Sequence, residues 1–112
     1  MAGAFPVWLA PEQVALVTVS EKQVAYAEEV AAVLRTKGLR VVTDLGADKL
    51  GAKIRNARLM RYPYIAVIGD KEAAARTLSI RSRQDGELGA IPLEAFSDKL
   101  LAEASPPRIQ RA

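Results

Sequence analysis

Apolar residues follow two different spacings along this chain, and the spacing predicts which segments are strands and which are helices. Short, nearly continuous apolar runs rich in β-branched residues are typical of strands that are covered on both faces. Apolar residues three and four positions apart are typical of helices that pack one face against a sheet. The runs predict strands at residues 13–20, 39–44 and 64–70, and the helical spacing predicts helices at residues 21–37 and 49–61.

Local signals predict where these helices begin and end. Ser20 and Gln23 have the spacing of a capping box, and Gly38 supplies the left-handed residue that commonly ends a helix. Asp48 is the predicted N-cap of the second helix, and Pro63 ends that helix by biasing the preceding residue away from helical geometry. The positions of this helix predicted to face the sheet are Leu50, Ile54, Ala57 and Met60.

The pattern changes after residue 76, where helical spacing gives way to strict alternation. Residues 77–83 read as an alternating strand, Asp85 and Gly86 favour a two-residue hairpin turn, and residues 88–91 form a short partner strand. Pro92 is predicted to open a last helix. The buried stripe of that helix is predicted to be Leu93, Phe96, Leu100 and Leu101.

These elements together predict the fold class. Strands joined through a helix lie parallel with a right-handed crossover, whereas a hairpin adds antiparallel strands. The chain is therefore predicted to be an α/β domain with three layers and a five-stranded mixed sheet, in the order β-α-β-α-β, antiparallel hairpin, C-terminal helix. Its 112 residues predict one domain over 1–112, with an N-terminal boundary segment at 1–10 and a flexible tail at 105–112.

Composition argues against several classes of chemistry. The chain has no cysteine and no histidine, so disulfides, thiolate chemistry, most zinc sites and the usual near-neutral general base are not expected. It also lacks a phosphate-binding glycine loop and a nucleophile elbow, so no catalytic residue and no metal ligand is predicted. Neither an export signal nor a membrane span is indicated, which predicts a cytoplasmic location.

The positive residues carry the stronger functional signal. The net charge of +3 permits a polyanionic partner without requiring one. Within the second helix, the cations form either an ordinary solvated surface or a face that contacts the phosphates of a nucleic-acid backbone. These helix cations are Lys49, Lys53, Arg55, Arg58 and Arg61.

Two further places each allow two interpretations. Arg81 and Arg83 project from the same face of an alternating strand, about 7 Å apart, and either protect a sheet edge or bind a ligand. Lys71 and Glu72 follow the third parallel strand, where ligands gather in open α/β sheets. They could donate to and accept from the edges of unstacked bases, or form an ordinary surface ion pair.

Three stretches of this sequence resemble one known family. "FPVWLAPEQV" (5–14), "DLGADKLGAKIRNARLMRYPYIAVIGDKE" (44–72) and "IRSRQDGELGAIPLEAF" (80–96) closely resemble the C-terminal anticodon-binding domain of threonyl-tRNA synthetases. The wider pattern of glycines, prolines and charged residues is shared with the prolyl, glycyl and histidyl class II synthetases. The resemblance covers essentially the whole chain.

This resemblance implies a five-stranded sheet with three helices that binds the anticodon stem-loop of a threonine tRNA and reads its last two anticodon bases. In the family, the positions that match Lys71, Glu72 and Arg81 take part in base recognition. Phosphate contacts are expected, by physical analogy, at Lys49, Lys53, Arg55 and Arg83.

The resemblance also implies partners and cofactors for a parent enzyme. The catalytic domain that this chain would serve is absent from it, so the chain alone is expected to be non-catalytic and to hold no cofactor. ATP, magnesium and zinc would bind in other domains of the parent, which is expected to be a homodimer.

One loop departs from the family pattern. The family usually has Asp-x-Arg-Asn-Glu-Lys where this chain has "DLGADK", so Gly46 and Ala47 replace an arginine and a base-reading asparagine. Anticodon discrimination is then weakened, moved to a neighbouring residue or lost. The departure supports an alternative, in which the chain is a non-catalytic paralogue acting as a protein-interaction or accessory module.

Overall fold

A computed structural model describes residues 12–46, 48–83 and 86–104 of the chain, and these residues form one five-stranded sheet with helices on both faces. The strands lie in the order β2-β1-β3-β4-β5 across the sheet. Their bounds are β1 Val14–Thr18, β2 Val41–Asp44, β3 Tyr64–Ile68, β4 Thr77–Ser82 and β5 Gly86–Pro92.

The strand directions confirm the predicted α/β fold with a mixed sheet. β1 pairs in parallel with both β2 and β3, because a helix connects each of these strands to the next along the chain. β4 pairs antiparallel with β3 and β5. Since β4 has a partner strand on each side, the interpretation of Arg81 as protection of a sheet edge is wrong.

Helices connect the strands at nearly the predicted places. Their bounds are α1 Val24–Thr36, α2 Leu50–Leu59, α3 Asp70–Ala75 and α4 Leu93–Ala104, with a short 3-10 turn at Glu21–Gln23 before α1. The predicted capping box forms, since Ser20 accepts from the backbone at the start of the turn and Gln23 Oε1 accepts from Ser20 N at 2.8 Å.

Two predictions about helix ends are wrong, and one helix was missed. Lys49, not Asp48, is the N-cap of α2, and its extended backbone makes no side-chain capping bond. Pro92 is the last residue of β5 rather than the first of α4. The short helix α3 was not predicted, because its six residues contain no apolar stripe to reveal it.

The two faces of the sheet carry different cores. On one face α1 and α4 pack against alternate residues of β1, β3 and β4, including Leu16, Ala66 and Ile80. On the other face Ala57 of α2 packs with the intervening strand residues: Ala15, Val17, Ile65 and Val67. We call this second side the α2 face.

The predicted inner stripe of α2 is only partly correct. Ala57 is buried, and Leu50 and Ile54 are half-buried against the same cluster. Met60 is 65% exposed, because α2 ends at Leu59 and the chain turns away before that position can reach the sheet.

The predicted N-terminal segment at 1–10, the flexible tail at 105–112 and the Asp85 position of the hairpin turn lie outside the described residues. Within the described part of the chain, no helix combines the length and the apolar character needed to cross a membrane.

Candidate nucleic-acid interface

A cavity of about 440 Å³ lies where the end of α2 meets β4 and the start of β5. Four arginines contribute to its wall, together with an aromatic ring and a carboxylate. We call it the arginine cavity. Its described lining residues are Arg58, Arg61, Tyr62, Ile65, Arg81, Ser82, Arg83, Gly86 and Glu87.

The position of Arg81 follows from strand register. Arg81 lies opposite Ile65 of β3, whose side chain belongs to the α2 face, so Arg81 projects on that same face. The next pairs shift register: Ile80 faces Gly89, whereas Arg81 faces Glu87. Leu88 is therefore the extra residue of a β-bulge, a feature that often redirects side chains beside binding sites.

The guanidinium of Arg81 is held partly out of solvent. Its Nε is buried and has no hydrogen-bond partner among the described residues. A buried donor without a partner costs free energy, so a ligand that accepts a hydrogen bond at this atom would be favoured.

Arg83 anchors the end of β4 to the turn that follows α2. Its backbone N donates to the carbonyl oxygen of Pro63 at 2.9 Å, and its Nη1 donates to the carbonyl oxygen of Arg61 at 2.8 Å. Arg61 has a φ of 58°, a left-handed conformation that is strained for a residue with a side chain. This strained turn is therefore stabilised by two hydrogen bonds from Arg83, the residue that follows β4, which fixes one wall of the arginine cavity.

Tyr62 forms another part of the wall and is half-buried against the α2 core. Burial raises the pKa of its phenol above the ordinary value, and the negative charge of Glu12 raises that pKa further. The ring therefore stays neutral at physiological pH and offers an uncharged surface beside the arginines.

The charges around the arginine cavity favour an anion. Among its described lining residues four side chains are positive and one, Glu87, is negative. A concave wall with this excess raises the local positive potential more than scattered surface charges would. Planar guanidinium groups also bind phosphate through two parallel hydrogen bonds.

Lys53 does not belong to this interface, and the prediction that it contacts phosphate is contradicted by its burial. The residue is only 1% exposed, and its Nζ donates to the carbonyl oxygen of Thr18 at 2.9 Å and to the Thr18 hydroxyl at 3.2 Å. Thr18 pairs with β3 but lies one residue beyond the last pair with β2. Lys53 thus supplies donors at the end of β1, a structural role.

Lys71 and Glu72 lie on α3 rather than on the predicted loop, and they do not line the arginine cavity. Glu72 accepts a hydrogen bond from the backbone N of Gly69 at 2.7 Å, so its carboxylate caps the start of α3. Arg81 is opposite Ile65, four residues before Gly69, which separates the two places by about 13 Å along β3. Lys71 and Glu72 therefore lie at a separate candidate position, which we call the second contact place.

The other predicted phosphate contacts on α2 are exposed. Lys49 lies at its N-terminus, and Arg55 lines a shallow groove of about 360 Å³ along its outer side with Arg58. Arg58 therefore borders both this groove and the arginine cavity. Of the departing loop positions, Gly46 is exposed, whereas Ala47 lies outside the described residues.

Sequence reasoning missed two residues of the arginine cavity. Arg58 and Arg61 were recognisable as helix cations three positions apart, but Tyr62 and Glu87 carried no functional signal. Their proximity to Arg81 depends on the register between β3, β4 and β5, including the bulge at Leu88. Tyr62 and Glu87 could have been identified only if the register in which β4 pairs with β3 and β5 had been known.

Comparison with known proteins identifies a family for this fold. A family model described as an anticodon-binding domain matches residues 13–103. The chain is 53% identical over 102 residues to a threonine–tRNA ligase of Clostridium botulinum, which covers 91% of this chain and 16% of that protein. It is 49% identical over 106 residues to the threonine–tRNA ligase of Anaeromyxobacter dehalogenans, covering 95% of this chain and 16% of the other. The chain thus spans about a sixth of the length of these relatives.

Two solved structures have the same fold. The RNA-binding domain of threonyl-tRNA synthetase from Cryptosporidium parvum has a TM-score of 0.89 and 31% identity, over 96% of this chain and 27% of that one. Histidyl-tRNA synthetase from Nostoc has a TM-score of 0.77 and 26% identity, over 86% of this chain and 23% of that one.

Proposed function

This chain belongs to the family of anticodon-binding domains, and we propose that it binds the anticodon stem-loop of a threonine tRNA as one domain of a threonine–tRNA ligase. The proposal extends to this chain what the names of its relatives say of them. Its task would be to hold the tRNA while the remainder of such a ligase, the other five sixths, carries out aminoacylation.

The arginine cavity is the observation that supports this proposal most directly. Sequence-specific recognition of RNA mostly targets unstacked loop bases, which are bound by hydrogen bonds to their edges and by stacking on aromatic or guanidinium planes. Arg81 has a buried, unpartnered Nε in this cavity, and Glu87 lies opposite it across the strand pair. Donors and an acceptor are thus present side by side.

Residue roles follow from this arrangement. We assign base recognition to Arg81 at the arginine cavity and to Lys71 and Glu72 at the second contact place on α3. Phosphate contacts are assigned to Lys49, Arg55 and Arg83. Because the two base-contacting places are about 13 Å apart along β3, they would serve two different nucleotides of the loop.

The catalytic partner would be another part of such a ligase, outside the sixth of its length that this chain matches. ATP, magnesium and zinc would act there, and the assembled ligase would be a homodimer. The anticodon-binding domain would contribute binding free energy and orientation, which lower the barrier of a bimolecular step by positioning the reactants.

Binding of a synthetic anticodon stem-loop to this chain tests the proposal. Affinity for the threonine loop should exceed affinity for the same stem with a scrambled loop, and it should fall as salt rises, because bound cations release counterions from RNA. Arg81→Ala should cost about 1 to 3 kcal/mol and relax the choice of base at one loop position.

Lys99→Ala provides a matched control. Lys99 is also a surface cation, but it pairs with Glu103 on α4, which packs on the face of the sheet opposite the arginine cavity. Its replacement should leave RNA affinity unchanged. Equal affinity of the unaltered chain for threonine and scrambled loops would overturn the proposed function.

A further inference from the structure

Tyr62 lines two cavities at once. It contributes to the arginine cavity and also to a neighbouring one of about 190 Å³ whose wall includes Asp44, Asn56 and Met60. A side chain that borders both spaces forms the partition between them. Tyr62 is half-buried, so part of its side chain is accessible from the arginine cavity while its packing against the core of the α2 face holds it in place.

The remaining described aromatic rings cannot serve that cavity. Tyr64 and Phe96 are buried on the opposite face of the sheet and pack edge to face with each other. The Tyr26 hydroxyl donates to the carbonyl oxygen of Thr77, and the Arg76 guanidinium lies 5.6 Å above the Tyr26 ring centre. Among the aromatic residues that the structure describes, Tyr62 alone borders the arginine cavity.

Arg58 and Arg61 lie beside this ring, three positions apart on α2 and the turn that follows it. Both are exposed, and their proximity to Arg81 and Arg83 concentrates like charge in a small space. Like charges at close range repel each other, and an anion bound between them offsets that repulsion by attracting both. The size of the arginine cavity, about 440 Å³, is sufficient for a single nucleotide.

We propose that the arginine cavity binds one unstacked RNA nucleotide, with its base stacked on the Tyr62 ring and its phosphate held between Arg58 and Arg61. The inference rests on the proposed function for the identity of the RNA. It adds a stacking residue and a phosphate clamp to the recognition by Arg81. Stacking on an aromatic ring tolerates any base, so Tyr62 would supply affinity while Arg81 and Glu87 select.

An abasic scan tests the stacking contact. The affinity of the chain is measured for a threonine anticodon stem-loop and for versions with one loop base removed at a time, with unaltered protein and with Tyr62→Leu. Loss of one stacked base should weaken binding about 5- to 150-fold. One abasic position should produce this loss with the unaltered chain and no further loss with Tyr62→Leu, whereas the other positions should affect both proteins equally.

Two variants separate stacking from folding. Tyr62→Phe keeps the ring and should restore the affinity and the abasic pattern, and Tyr26→Leu removes a half-buried tyrosine from the other face without changing the pattern.

The salt dependence of binding tests the phosphate clamp: Arg58→Gln should lower the slope of log affinity against log salt by about 0.7. An unchanged slope would remove Arg58 from the clamp.

The two proposals fail in different ways. If the chain binds threonine and scrambled loops equally, the anticodon assignment fails, but the abasic coupling at Tyr62 can still be measured on either loop. If the chain prefers the threonine loop and every abasic position weakens Tyr62→Leu as much as the unaltered protein, the stacking proposal is wrong while the proposed function stands.

Discussion

Arg83 Nη1 donates a hydrogen bond to the carbonyl oxygen of Arg61 at 2.8 Å, so a residue that follows β4 stabilises the turn after α2. The Arg61 carbonyl belongs to a residue with a φ of 58°, and that conformation persists only where surrounding contacts favour it. The same turn positions Tyr62 and Arg61 at the arginine cavity. The fold and the candidate site therefore depend on one shared hydrogen bond.

Arg83→Ala should consequently reduce both stability and RNA binding. Loss of a hydrogen bond from a charged donor costs about 1.5 to 3 kcal/mol in folding, with the lower end expected at this half-buried position. Urea unfolding measures the first effect and stem-loop titration the second. Arg58→Ala is the matched comparison: it borders the same cavity from an exposed helix position, so it should weaken RNA binding and leave unfolding nearly unchanged. Equal unfolding midpoints for the two variants would contradict the anchoring role of Arg83.

Replacement of Lys53 should affect stability and not RNA binding. Lys53→Met keeps most of the aliphatic stem but leaves the Thr18 carbonyl oxygen and hydroxyl without their donor, at a cost of about 1 to 3 kcal/mol. Lys53→Ala also leaves a cavity and should cost more, about 2 to 5 kcal/mol. The salt dependence of RNA binding should be the same for Lys53→Met and the unaltered chain. A shallower salt dependence would mean that the ammonium reaches the RNA.

The case of Lys53 illustrates what the sequence could and could not reveal. Apolar periodicity predicted which segments are strands, since it depends only on which residues must be buried, and the connections between the segments predicted the strand directions. A lysine in an amphipathic helix reads as a surface cation, however, and only the position of Thr18 beyond the last β2 pair gives it a buried partner.

The arginine cavity shows the same limit. The predicted alternation along β4 is confirmed, since Leu78 and Ile80 lie in the core and Arg81 projects from the other face. The bulge at Leu88 and the left-handed turn at Arg61 determine what Arg81 lies next to, and both arise from tertiary contacts rather than local propensity. The sequence could therefore predict which face of the sheet each side chain occupies, but not which residues of other strands and turns lie next to it.

Glu72 has a structural role that can be separated from base recognition. Its carboxylate accepts from Gly69 N at 2.7 Å at the start of α3. Glu72→Gln retains an oxygen that can accept this bond and should unfold like the unaltered chain, whereas Glu72→Ala should lose about 0.5 to 2 kcal/mol. If Glu72 also reads a base, both variants should change the selection among loop sequences in stem-loop titrations. A Gln variant with unaltered selection would limit Glu72 to capping.

The raised pKa of Tyr62 predicts a loss of stability in alkaline solution. Burial and the nearby Glu12 carboxylate raise the folded-state pKa above the ordinary 10.0, so the folded protein holds this proton more tightly than the unfolded chain does. The stability that the protein gains from this difference in the pKa of Tyr62 is complete below about pH 10 and is lost as the pH rises through the folded-state pKa. Urea unfolding at about pH 9 and 11 should show a smaller loss for Tyr62→Phe than for the unaltered chain. Equal losses would mean that Tyr62 has the same pKa in both states.

Replacement of two glycines by alanine should change the free energy of unfolding in opposite directions. Gly89 faces Ile80 beside the bulge and has a φ of 83°, which L-residues rarely adopt, although nothing lies within 4 Å of an added Cβ. Gly89→Ala should therefore destabilise the fold through backbone strain alone, by about 1 to 2 kcal/mol. Gly51 is an exposed residue of α2 with equally open surroundings, and Gly51→Ala should stabilise it by about 0.4 to 1 kcal/mol.

Stem-loop binding by the same two variants tests whether the bulge orients Arg81. Because Gly89 lies in the register shift that pairs Arg81 with Glu87, strain there should displace the arginine and weaken RNA binding as well as stability. Gly51 lines the shallow groove near Arg55, away from the bulge, so Gly51→Ala should bind RNA with unaltered base selection. If Gly89→Ala lowers the unfolding midpoint while its selection among loop sequences stays the same, the bulge contributes to folding but does not determine the position of Arg81.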